Sequence, residues 1–472
     1  MSFNSPIFFI FLIVTVSLNC LLPKRFRHLF LMFVSLVFIG YYNLASVITL
    51  LFFSLLNFYV AKKVAGKQFI FISSVLLNTL AIVLFNYFSI HQNSLHFSVS
   101  AIHFNIDGFI IALGLSFYSL QNISYLTEVY YQRTAPENDL CNYLLYCSFF
   151  PKAISGPVML PNEFLPQIDK NEITKADLIK GGQRILLGLF KKMVIADRLA
   201  PAVSSVFDHH TNYNGLTTLI AVYLFTVQLY LDFSGYTDMA LGMGKMLGYD
   251  LKENFNAPLR STSVSEFWRR WHISLISWFT NYIYYPVVYR FRNYKKTAAF
   301  IGILLTFLIS GIWHGIGFTF LAWAICHILY LSFELFTKHF RINLSERMPS
   351  FFYKVLSVFI VFNAVCFSNI FFRAESLSKA FQLIRNTFSF SDFIPDHWLG
   401  LIAPLAVGGH QMDEFNFYIS IFIAAIVLLF ERKINRIAIS EKYNIGFIIL
   451  LIILIMVFGV FNNGTRFIYM QF

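Results

Sequence analysis

Two histidines stand where an apolar chain has little reason to place them. His314 lies in SGIWHGIGF, a glycine-rich, tryptophan-flanked interruption between two apolar runs, and His272 lies 42 residues earlier in SEFWRRWHIS. An imidazole titrates near neutral pH and can take a proton from a hydroxyl in a water-poor site. Gly311, Gly315 and Gly317 let backbone approach closely or let a helix open, so that the ring faces a cavity. On its own, His314 could also be a histidine that bonds a neighbouring helix. Around His272, the arginines Arg269 and Arg270 offer charge-assisted bonds to anionic lipid or to the phosphates of a nucleotide-bearing donor. Taken alone, that string reads as an aromatic and basic anchor at headgroup level, with Trp268 and Trp271. His209 and His210 sit in a short polar turn, and His327, His339, His397 and His410 have no partner at ligand spacing. All six read as structural or solvated.

The elements that must position these groups are membrane helices. Of 472 residues, 57% are hydrophobic and 13% charged, and Phe alone contributes 57. A soluble domain carries roughly twice that share of charge, which excludes a cytosolic globular enzyme, a coiled coil and a disordered chain. The excess of Lys and Arg, 36 against 24 acids, belongs to basic loops of a membrane protein rather than to nucleic-acid binding. Five cysteines, Cys20, Cys141, Cys147, Cys326 and Cys366, show no zinc spacing, so no metal is expected.

Apolar stretches that could cross a bilayer lie near 5–23, 28–45, 46–61, 68–89, 107–127, 185–206, 216–236, 297–316, 319–337, 352–372, 417–431 and 443–461. The expected fold is therefore all-α and polytopic, with about 11–12 transmembrane helices and one undivided domain over 1–472. The run from Cys141 is broken by Pro151, Lys152, Gly156 and Pro157 and reads as a re-entrant segment packed in protein. The first apolar run lacks a basic n-region and a small-residue cleavage site, so it reads as a span and not as a cleaved signal. Lys24, Arg25 and Arg27 follow the first span and Lys62, Lys63 and Lys67 the third, whereas 40–45 and 91–105 carry no Lys or Arg. The positive-inside rule then makes the basic loops cytoplasmic and the N-terminus external, with 373–416 the longest exterior stretch. Polar residues at membrane depth concentrate in the middle third, where QLYLDFSGYTDM carries Gln228, Asp232, Ser234, Tyr236 and Asp238.

Eight strings in order then carry a resemblance: GLSFYSLQNISYLTEVYY, YCSFFPKAISGPVM, GLFKKMVIADRLA, QLYLDFSGYTDMALGMGKMLGYDLKENFNAP, SEFWRRWHISLISWFTNYIYYP, SGIWHGIGFTFLAW, FFRAESLSKA and FIYMQF. They span residues 114–472 and resemble the membrane-bound O-acyltransferases, in the bacterial branch of the alginate O-acetyltransferase membrane component; 1–110 agrees in hydropathy only. One departure is VVYRFRNYKK, where that branch commonly has a Gly-Gly-Asn-Arg-like turn.

The resemblance implies a helical ring around a central tunnel, with a funnel from each side meeting at His314 in a broken-helix setting. It implies an acetyl group passed from a cytoplasmic thioester, acetyl-CoA as co-substrate with no resident cofactor, to an extracytoplasmic polysaccharide or a periplasmic transferase partner. His314 would be the general base. His272 would orient the donor or polarise its carbonyl, with Arg260, Arg269, Arg270 and Trp313 on the donor side. The inner membrane of a bacterium is the implied location. Peptidoglycan O-acetylation, D-alanyl transfer to teichoic acid, a transporter without bond chemistry and a docking scaffold are the competing readings. A transporter calls for paired ionisable groups deep in several spans, and the acids here are few: Asp197, Asp232 and Asp238.

Overall fold

The computed structural model describes residues 3–90, 98–99, 102–103, 113–389, 411–438, 444–461 and 467–468. Most of the turn 91–105 and all of 390–410, including His397 and His410, lie outside these residues. Apart from one antiparallel pairing of Ser98–Val99 with Ile102–His103, the described residues form helices and their connections. In chain order the helices are α1 Pro6–Leu21, α2 Lys24–Tyr42, α3 Leu44–Val64, α4 Gln68–Ile90, α5 Leu115–Tyr130, α6 Leu140–Ser148, α7 Phe150–Ala153 and α8 Pro161–Lys170. They continue with α9 Lys175–Leu189, α10 Asp197–Asp208, α11 Gly215–Met246, α12 Val264–Arg270, α13 Ile273–Phe279, α14 Tyr285–Arg290, α15 Lys296–His314 and α16 Phe318–Phe336. The last are α17 Lys338–Arg347, α18 Ser350–Arg373, α19 Leu377–Thr387, α20 Gln411–Ala438 and α21 Ile445–Phe458.

Among the described residues, α3, α4, α11, α15, α16 and α18 are long and apolar enough to cross a bilayer, and α1 and α21 are shorter apolar helices. The chain is an all-α, multi-pass membrane protein. One of the expected crossings takes another form, and residues 107–112 of a second lie outside the described residues. The described part of the stretch near 107–127 lies in α5, which is buried along nearly its whole length, with Ser119, Gln121, Asn122 and Ser124 buried in protein. The stretch near 185–206 breaks into the end of α9, a π-helical segment Phe190–Ala196 and α10. Hydropathy averages hide such breaks, because buried Lys191, Lys192 and Asp197 are diluted by apolar neighbours.

Residue contacts divide the chain into two compact units, Met1–Ile185 with Met239–Lys252, and Leu186–Asp238 with Glu253–Phe472. In the first unit, the interrupted run from Cys141 packs as α6 and α7. Phe150 N–H donates to Ser35 Oγ at 3.1 Å, and Lys152 Nζ donates to the Tyr146 carbonyl while lying 4.9 Å from the Phe164 ring. Gly181 on α9 meets Gly242 on α11 so closely that a Cβ on Gly242 would stand 2.5 Å from the Gly181 carbonyl oxygen. Gly182, one residue along, has nothing within 4 Å of its would-be Cβ. Gly242→Ala is therefore expected to lower Tm by overpacking worth about 1–3 kcal/mol. Gly182→Ala should raise it slightly, since alanine relieves a helical glycine of about 0.5–1 kcal/mol. Thermal melts of the two variants check the opposite signs.

In the second unit the π-helical segment supplies cations to the acids of α11. Lys191 Nζ bonds Asp238 at 2.7 Å, and Lys192 Nζ lies 2.6 Å from Asp232 and 2.7 Å from Asp197. Two of the five polar residues singled out in QLYLDFSGYTDM, Asp232 and Asp238, thus belong to an internal ionic cluster. Asp232 also accepts the Ile468 N–H at 2.8 Å, and Phe467 lies 4.4 Å from Lys192 Nζ, so the C-terminal residues dock on the same cluster.

Candidate active site

The second unit holds both expected histidines. α15 starts at basic Lys296, runs through an apolar stretch and ends on His314. α16 begins after Gly317 and returns so close to it that a Cβ on Gly311 would meet Ala324 Cβ at 3.0 Å. The glycine-rich interruption is therefore the turn of a helical hairpin. The broken helix implied by the resemblance is not what forms here, because the glycines shorten the reversal to three residues. At that turn His314 is 8% exposed. Trp323 and Phe372 present their edges with ring centroids at 5.2 Å, Phe320 lies nearly parallel at 6.4 Å and Trp313 sits at 4.9 Å. Four aromatic walls keep bulk water from the imidazole, which a reaction on a hydrolysable ester requires.

His272 lies between the short helices α12 and α13 and is 1% exposed. It caps α13 in the left-handed region, with φ 44° and ψ 51°, which costs a non-glycine residue about 1–3 kcal/mol and persists only where the surroundings impose it. What imposes it is the ENFN string. The Asn254 carbonyl accepts the Ile273 N–H at 2.9 Å, the Asn254 side-chain oxygen accepts the Ser274 N–H at 3.1 Å, and Asn256 N–H donates to the Arg270 carbonyl at 3.0 Å. Phe233 on α11 closes the other side, edge-on at 4.8 Å. Burial pushes the His272 imidazole down to about 3, and the charge of His314 acts in the same direction. The two rings are thus within electrostatic reach of each other, though far apart in sequence.

Two expectations follow from this clamp. Asn254→Ala strands the buried Ser274 N–H, which should cost about 1–3 kcal/mol of stability and lower turnover. Melting temperature and turnover check this together. The second concerns acid. The folded His272 is neutral down to about pH 3. The unfolded imidazole takes up a proton below about 6.5. The contribution of His272 to stability should therefore be level above pH 6.5 and decline as pH falls toward 3, so that the acid-side slope is shallower in His272→Gln; denaturation at stepped pH reads this out.

The donor-side residues are placed unevenly. Arg269 is exposed at the end of α12, two residues before Trp271, and its charge helps to hold the Glu266 carboxyl below its ordinary range. Arg270 is committed, bonding Glu266 at 2.5 Å and the Ala257 carbonyl at 3.5 Å. Arg260 is exposed and donates to the Leu429 carbonyl at 3.1 Å, and Trp313 is half-buried against Phe279 and His314. Sequence reasoning missed Asn254, Glu334 and the buried role of His327. The Glu334 carboxylate accepts the first N–H groups of α12, from Val264 at 2.5 Å and Ser265 at 3.0 Å. Trp323, His327 and Glu334 recur at spacings of 4 and 7, so one face of α16 carries all three; that period was the available signal.

Against known proteins, residues 30–377 match the membrane-bound O-acyltransferase family profile. The chain is 31% identical to the probable alginate O-acetylase AlgI of Azotobacter vinelandii, covering 83% of this chain and 79% of that one. It is 30% identical to the peptidoglycan O-acetyltransferase of Helicobacter pylori, over 81% and 79%. It is 26% identical to the teichoic acid D-alanyltransferase of Bacillus subtilis, over 77% and 96%. A profile match over most of the chain, an all-α membrane fold and two buried histidines in one unit agree: this chain belongs to the membrane-bound O-acyltransferase family and is an acyltransferase.

Proposed function

We propose that the protein takes an acetyl group from acetyl-CoA on the cytoplasmic side of a bacterial inner membrane and delivers it for O-acetylation of an extracytoplasmic polysaccharide of the alginate kind. The acceptor would be the glycan itself or a periplasmic transferase partner. His314 is the general base. It removes the proton from the incoming hydroxyl as the oxygen attacks the thioester carbonyl, and the coenzyme A sulfur leaves and is protonated. His272 orients the donor or polarises its carbonyl, and Arg269 meets its phosphates, with Arg260, Arg270 and Trp313 framing the approach.

The observation that carries this reading is the burial of His314 and His272 in one compact unit, from strings 42 residues apart. The acyl group is inferred from relatives named for O-acetyl chemistry at 30–31% identity, against 26% for the D-alanyl relative. The N-terminus is assigned to the outside. Lys24 and Arg25 open α2 and Lys62 and Lys63 close α3, which puts basic residues at one end of two consecutive helices.

The test uses the full chain in nanodiscs with radiolabelled acetyl-CoA and an alginate-type oligosaccharide, and peptidoglycan fragments and a D-alanyl carrier thioester as competing substrates. Label moving from coenzyme A to the oligosaccharide supports the reading. Consumption of the D-alanyl donor alone, or transfer only to peptidoglycan, overturns the substrate assignment. Movement of lipid or ions with no donor consumed overturns the chemistry.

A further inference from the structure

We propose that His327 is a positioning residue for acyl transfer: it fixes the helix that leads into His272 against the wall of the His314 pocket, and so holds the two histidines in register. This rests on the roles given to His272 and His314 above.

Trp268 on α12 donates its indole N–H to His327 Nδ1 at 3.2 Å, and Ser368 Oγ on α18 lies 3.1 Å from His327 Nε2. An indole nitrogen is a donor only, so Nδ1 must carry the lone pair. The neutral ring then holds its proton on Nε2 and donates to Ser368, whose hydroxyl donates onward to the Val365 carbonyl at 2.9 Å. Every donor in the sequence indole, imidazole, hydroxyl has an acceptor. The direction is set throughout, and the ring cannot flip without breaking two bonds.

The same ring is a packing hub. Trp268 and Trp323 meet it at centroid distances of 4.8 and 4.9 Å, and Phe307 lies nearly parallel at 5.8 Å. Trp323 is one of the walls of the His314 pocket, at 5.2 Å, and Trp268 touches Trp323 at 5.8 Å. One imidazole thus joins α12 to a side chain that touches His314. α12 is only seven residues long, and His272 follows its last residue, Arg270, by two. Glu334 holds the start of that short helix from α16, and His327 holds its middle from the same face of α16. With the imidazole bond lost, Trp268 can rotate, and α12 is held at its first turn by Glu334 and at Arg270 by Asn256 and Ala257, with its middle released. A shift of about 1 Å in a reacting group can cost roughly 100-fold in rate.

A histidine that served only core packing would change folded yield and stability without a particular effect on the chemical step. The test measures kcat and donor KM for His327→Phe, His327→Asn, Trp268→Phe and the Phe–Phe double variant in nanodiscs, with His314→Ala as the inactive reference. His327→Phe keeps the ring and drops both hydrogen bonds. It should lower kcat by roughly 10- to 100-fold, with donor KM within about twofold, the pattern of an interaction that matters in the transition state. Trp268→Phe should lower kcat in the same way, and the double variant should lose no more than His327→Phe alone, because both changes remove the Trp268–His327 bond. His327→Asn, whose carbonyl can accept the indole N–H, should recover most of the rate.

Unchanged kcat in His327→Phe, multiplying losses in the double variant, or no recovery with Asn would each overturn the proposal. Should His327→Phe fail to fold, Trp268→Phe and His327→Asn decide it in the same way. If the wild type itself consumes neither acetyl-CoA nor a D-alanyl carrier thioester, the transfer reading fails and takes this inference with it. Wild-type turnover that survives His327→Phe sinks the positioning role alone.

Discussion

His314→Ala should still give a protein that inserts and folds but turns over at least about 10²–10⁴-fold more slowly, the usual contribution of a positioned general base. The size of the effect follows from the site's construction. The ring is 8% exposed and walled by Trp313, Phe320, Trp323 and Phe372, so bulk water cannot stand in as a base. The same walls offer a check that a folding defect cannot imitate. Removing the ring leaves a space of imidazole size lined by aromatic faces, a setting that tends to stay dry and to admit apolar or aromatic guests. Added imidazole should therefore restore part of the rate to His314→Ala and none to His272→Ala. Activity retained without imidazole would remove His314 from the chemistry.

The largest effect on stability is expected at Lys192. Its ammonium lies 2.6 Å from Asp232 and 2.7 Å from Asp197, and all three side chains are 3% exposed or less. Replacing it with Met leaves two carboxylates buried without a counter-charge, and breaking a buried pair in this way costs about 3–5 kcal/mol. Neutralising both acids as well, in Lys192→Met with Asp197→Asn and Asp232→Asn, should recover most of that loss, because the cost lies in the stranded charge. Detergent-solubilised yield and Tm across the single and triple variants measure it. A single variant as stable as the wild type would mean that water reaches the cluster. This pairing also bears on the transporter reading. The acids available to a permeation path are instead tied to lysines from one π-helical segment, with the C-terminal residues docked on them.

Much of this was legible in the residues themselves. A chain with 57% hydrophobic residues and 13% charged ones cannot hide its apolar surface in water, so the membrane class and the helical fold followed from composition and run length. The histidines stood out because an ionisable group in an apolar run is costly unless it is used. The strings around them were specific enough to indicate the family. The tertiary structure decided what a one-dimensional pattern cannot hold. Lys191 and Lys192 meet acids 47 and 40 residues away, and His327 meets Trp268 across 59. Hydropathy adds neighbours along the chain, whereas hydrogen bonds and ion pairs join whatever folding brings within about 3 Å. That is why 185–206 read as a span and proved to be a buried, broken segment, and why His327, read as structural or solvated, showed no sign in sequence of joining α12 to α18.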